Sequence, residues 1–167
     1  MRRISALTPL LLCGLLAAQP AAAQDATYSV RMMTPEAAQK AAKAALEACR
    51  KAGYQVAVAV VDRAGLPLVM LRDRFAGPHA PGVATDKAWT ALTFKTDTTE
   101  LTKVTGPGMP QSGLRGVDRV TAFGGGMMIQ AGGSLYGAIG VSGAPGGDAD
   151  DACAKAGIEA IQIDLEM

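Results

Sequence analysis

His79 is the only histidine in the chain. Any step that needs an imidazole near neutral pH falls to this residue, and multi-histidine metal sites are excluded within one chain. It lies in Gly77-Pro78-His79-Ala80-Pro81-Gly82, where the prolines and glycines predict a loop that presents the ring instead of packing it along an element. Arg72 and Arg74 precede this loop, Lys87 follows it, and Trp89 and Phe94 add flat apolar surface further on. If the loop folds over its stems, imidazole, positive charge and aromatic area gather in one place. That set suits a planar anionic ligand with a coordinating metal, such as haem. His79 would take the iron, Arg72, Arg74 or Lys87 the propionates, and Trp89 or Phe94 the macrocycle. It also suits a small carboxylate such as glycolate, held by Arg72 and Lys87 with no metal. An ordinary surface loop with salt-bridged charges would use the same residues.

Other motifs carry less. Gly140-Val141-Ser142-Gly143-Ala144 is not a nucleophile elbow, because its second glycine is missing and no histidine follows the serine. Gly137, Gly140, Gly143, Gly146 and Gly147 match neither the dinucleotide fingerprint nor the phosphate loop, and the nearby aspartates would repel phosphate. Met32, Met33, Met70, Met109, Met127 and Met128 form no Met-x-x-Met cluster and read as core filling. No acid–base pair identifies a reaction, which favours a binding protein over an enzyme.

Met1 to Ala23 reads as an export signal: Arg2 and Arg3, then a short apolar run from Leu10 to Ala18, then Ala21-Ala22-Ala23 before Gln24. The run is too short to span a bilayer. The expectation is a periplasmic or secreted protein whose residues 24–167 form a single domain. Loss of the two arginines takes the formal net charge from +1 to −1. No basic stripe remains, which argues against a nucleic-acid partner. Few aromatics and many alanines and glycines predict a thin core built on close backbone approach, and such cores gain stability by association. Cys49 and Cys153 either pair as a disulfide, as export permits, or sit as two buried thiols.

Several elements must position these groups. Thr34-Pro35-Glu36 starts a helix with a hydroxyl cap and a proline at its first position. Ala38, Ala42, Ala45, Cys49 and Ala52 give it an apolar face, and Gly53 ends it. Residues 55–61 and 66–72 form a hairpin around Asp62–Gly65, with Pro67 marking an edge strand. A second helix is expected from Thr85-Asp86 to Lys95, with Lys87, Thr90, Ala91 and Phe94 on one face. Residues 96–105 read as a short helix or turn anchored by Leu101, and 106–116 as a loop. Strands follow at 127–130 and 135–141. The last helix has Asp148, Asp150 and Asp151 in its first turn, where they favour its dipole, and an apolar face of Ala149, Ala152, Cys153, Ala156 and Ala160. Hairpins without crossovers predict an α+β domain, an antiparallel sheet with helices packed on it.

Two blocks of residues resemble a known family. Val58-Ala59-Val60-Val61-Asp62-Arg63-Ala64-Gly65, Arg72-Asp73 and Asp86-Lys87-Ala88-Trp89-Thr90-Ala91 form the first. Gly124-Gly125-Gly126 and Gly137-Ala138-Ile139-Gly140-Val141-Ser142-Gly143-Ala144, followed by the acidic helix, form the second. The chain resembles the GlcG/HbpS-like haem-binding proteins over nearly all of residues 24–167. The resemblance implies a profilin-like α+β fold, homo-oligomers, and haem binding in some members for storage, carriage or sensing. It also implies that the first and last helices lie side by side, which would bring Cys49 and Cys153 together. Where the family commonly reads Arg-x-Asp-Gly-Ala, this chain has Arg72-Asp73-Arg74-Phe75-Ala76, a departure that falls beside His79.

Overall fold

The computed structural model describes residues 26–166; the signal-peptide expectation for residues 1–23 lies outside them. One antiparallel sheet has the strand order β2-β1-β4-β3. Its strands are β1 (Ala57–Asp62), β2 (Pro67–Arg72), β3 (Gly126–Ala131) and β4 (Ser134–Ser142). Helices α1 (Pro35–Lys51) and α4 (Gly147–Glu159) cover one face, and α2 (Ala80–Phe94) covers the other. Short helices α3 (Thr98–Thr105) and α5 (Gln162–Glu166), with a 3-10 turn at Ser112–Gly116, complete the chain. This is the expected profilin-like arrangement. Among the described residues, no helix is long and apolar enough to cross a membrane.

The central strand shows how the sequence builds two different layers. Its residues alternate in direction, so Val56, Val58 and Val60 meet α1 and α4, while Ala57, Ala59 and Val61 meet α2. The valine face leaves room for side chains between sheet and helices. The alanine face does not, and α2 approaches backbone to backbone: a Cβ at Gly140 would collide with the Ala84 carbonyl, and one at Gly126 with the Lys87 carbonyl. On the other face, a Cβ at Gly157 of α4 would lie 2.7 Å from the Ala41 carbonyl oxygen of α1. α1 and α4 are therefore in close contact, and Cys49 and Cys153 are joined as a disulfide with Cα atoms 5.5 Å apart. The pairing left open by the sequence is thereby settled.

Three local expectations are corrected. The His79 segment is not wholly a loop: α2 begins at Ala80, five residues before Thr85. Pro81 stands in the first turn, where a helix does not need its N–H, so proline begins this helix instead of preventing it. The buried face of α4 is Asp150, Cys153, Ala154 and Gly157, not the alanine series through Ala149, Ala152 and Ala156. On α1, Ala52 is an exposed cap residue, and Ala41 and Leu46 join the buried face.

Candidate functional site

Asp73 determines how the chain leaves β2. Its backbone N–H donates to Val56 O at 2.9 Å, and its carboxylate receives Arg50 of α1 twice, Nε to Oδ2 at 2.7 Å and Nη2 to Oδ1 at 2.9 Å. That hydrogen bond with Arg50 holds the Asp73 carboxyl below the ordinary carboxylate range. With Asp73 tied down, Ala76 turns inward and Phe75 is thrown outward, 79% exposed. Two residues on, the His79 ring folds over Gly77, where an added Cβ would lie 2.7 Å from its Cε1. His79 is the N-cap residue of α2, and its exposed side chain makes no capping hydrogen bond.

The imidazole stands at a cleft of about 640 Å³. Phe75, Val83 and Phe123 supply apolar wall, and the Ser142–Gly147 turn supplies a floor with little side-chain bulk. Gln55 also lines it, and its Oε1 is buried with no hydrogen-bond partner among the described residues. Asp150 closes the inner wall: its Oδ1 accepts from Ala144 N at 3.1 Å, which ties the turn to α4. Asp151 receives Gly125 N–H and the Thr99 hydroxyl, fixing the glycine run that carries Phe123.

The residues singled out from the sequence divide. Arg72 and Arg74 lie close to His79 along the chain and are exposed; Arg72 donates to Ala76 O at 3.2 Å, and Arg74 stands 5.9 Å from the Phe75 ring. Lys87 is fully buried and donates to Asp150 Oδ2 at 2.7 Å and Val141 O at 2.9 Å. It faces the interior, so it is not available to a propionate or a free carboxylate at the surface. Trp89 packs by Gly65 at the β1–β2 turn, beneath Arg119 at 4.7 Å. Phe94 closes the helix that His79 opens, about 22 Å away along its axis at 1.5 Å per residue. Within one chain, then, Trp89 and Phe94 are not brought to the imidazole. Phe75 and Phe123 occupy the place expected of them.

Sequence reasoning passed over Asp150, Phe75 and Phe123. A signal for Asp150 existed: it stands three and four residues before Cys153 and Ala154, on the same helix face. Lys87 likewise shares the spacing of Ala84, Ala88 and Ala91. Phe75 also lies where the resembled family commonly has glycine, which is replaced here or displaced to Gly77.

A family model described as haem degrading protein, HbpS-like, matches residues 33–159. The chain belongs to this HbpS-like family. A crystal structure of a double mutant of Streptomyces reticuli HbpS is 40% identical, has a TM-score of 0.77, and aligns over 87% of this chain and 98% of that one. A PduOC–haem complex is 32% identical, with a TM-score of 0.74 over 78% of this chain and 96% of that one. The corrinoid adenosyltransferase PduO of Salmonella typhimurium is 37% identical over 60% of this chain, which spans only 31% of that protein's length.

Proposed function

We propose that this chain is an exported haem-binding protein that seats haem in the His79 cleft. The observation that carries the reading is the chain's one imidazole, exposed at a cleft of mixed polar and apolar lining beside two outward-facing phenylalanines. Such a site fits haem: the imidazole would hold iron, Phe75 and Phe123 would pack on the macrocycle, and Arg72 and Arg74 would pair with propionates at the open side. Bound haem would supply a redox-active iron, and the protein's part is to ligate it and limit its contact with water. The haem complex of the PduOC relative supports the same ligand class.

Export is part of the proposal. The signal-like leader and the Cys49–Cys153 disulfide both fit an oxidising compartment. Self-association is another part, since a thin core rich in alanine and glycine gains stability by association. Storage, carriage and sensing all need such a site. A Soret band that persists in air with ascorbate marks a store or carrier, whereas one that decays marks turnover.

The alternative of a metal-free site for glycolate or a similar acid loses one of its two cations, because Lys87 is committed to Asp150. Thermal unfolding separates the two. Haem in hundredfold excess over its dissociation constant should stabilise the protein by about 2.7 kcal/mol, and glycolate should leave the midpoint unchanged. Stabilisation by glycolate and none by haem would overturn the proposal.

A further inference from the structure

Lys87 is fully buried, yet its amine contacts two residues of the cleft lining, Asp150 and Phe123. Two of its N–H groups go to Val141 O and Asp150 Oδ2. Its remaining side faces the Phe123 ring, with Nζ 4.5 Å from the centroid. Asp150 and Phe123 both line the cleft, and Phe123 is 49% exposed. Phe123, itself half-exposed, thus covers a side of the buried amine that its two hydrogen bonds leave free. The Gly124-Gly125-Gly126 run follows it, with Gly125 at φ +116°, and a Cβ there would lie 2.7 Å from Nζ. Glycine at this point keeps the surroundings of the amine clear. The cleft lining itself contains no lysine or arginine, Arg72 and Arg74 lying outside it, so a small molecule that reaches the inner wall is better uncharged than anionic.

We propose that Lys87 is a covalent carbonyl-binding residue: Phe123 swings aside, a small uncharged aldehyde enters from the cleft, and Nζ condenses with it under proton transfer from Asp150. The nitrogen lone pair attacks the carbonyl carbon and forms the C–N bond. The π pair moves to oxygen, which is protonated as the nitrogen gives up a proton through the Asp150 carboxyl. A second protonation by that carboxyl releases the hydroxyl as water, and the nitrogen pair closes a C=N bond. The products are a protonated Schiff base, the Asp150 carboxylate paired with it, and water; nothing is oxidised or reduced. Burial pushes the Lys87 ammonium down and the Asp150 carboxyl up, so both partners are moved toward the neutral amine and acid that the first step requires. This site shares the cleft but does not depend on haem.

The test is limiting acetaldehyde with cyanoborohydride on the full disulfide-bonded chain without haem, followed by peptide mass mapping. The expected result is an ethyl group on Lys87 ahead of exposed lysines such as Lys43 and Lys51, despite its burial. Phe123→Ala should raise the Lys87 labelling rate by about tenfold or more, since a site open in at most a tenth of molecules is limited by that fraction. Asp150→Asn should slow it, with a thermal melt to confirm folding. Labelling of the exposed lysines while Lys87 stays unmodified until urea is added, in the wild type and in Phe123→Ala, would overturn the proposal. A haem titration of the same sample reads the haem site separately.

Discussion

Lys87 Nζ on α2 and Asp150 Oδ2 on α4 stand 2.7 Å apart, and both side chains are withdrawn from water. Their helices lie on opposite faces of the sheet, so this pair ties the two layers together beside the cleft wall. Removing one partner strands the other in the interior. Lys87→Ala should cost about 3–5 kcal/mol in urea unfolding, while the double replacement Lys87→Met with Asp150→Leu should cost far less. Equal losses in the single and double variants would show that packing, not the unpaired carboxyl, sets the cost.

The disulfide should matter more than its position in a helical layer suggests. Cys49 and Cys153 are 104 residues apart in sequence, and closing a loop of that length restricts the unfolded chain by about 4.7 kcal/mol in the chain-entropy account. The Cys49→Ser, Cys153→Ser variant should therefore lose roughly 4 kcal/mol. Mass spectrometry after alkylation without reductant should show no modified thiol on either residue.

Asp73 predicts an acid limb. Its carboxyl is held below the ordinary range by Arg50, so the folded state binds fewer protons there than the unfolded chain. The stabilisation is complete above the unfolded value of about 4 and disappears as pH falls through the lower folded value. Asp73→Asn should flatten that part of the stability profile. It should also loosen the Phe75 turn, read as faster proteolysis near residue 75.

Much of this architecture is legible in the chain. The Val/Ala alternation of β1, the hydroxyl–proline start of α1 and the hairpin turns are local signals, and they agree with the sheet that forms. Where the reading failed, Lys87 is assigned to a ligand and Asp150 to the helix dipole, whereas the two pair with each other. Lys87 and Asp150 carry the periodicity of buried positions, but a lone charge is costly to bury, and only the tertiary pairing makes it tolerable. Proline was likewise read as a helix breaker, whereas Pro81 in the first turn begins α2. Distance along a helix decides the aromatic residues. Trp89 and Phe94 are near His79 in sequence and far from it along α2, while Phe123 arrives from a remote loop that spacing cannot place.

His79 as the haem ligand is tested most directly by an ultraviolet–visible titration of the purified, disulfide-bonded protein with haem, beside His79→Ala. A saturable Soret shift is expected in the wild type, and a shifted or absent band with weaker binding in the variant. An identical spectrum and affinity in His79→Ala would contradict that role.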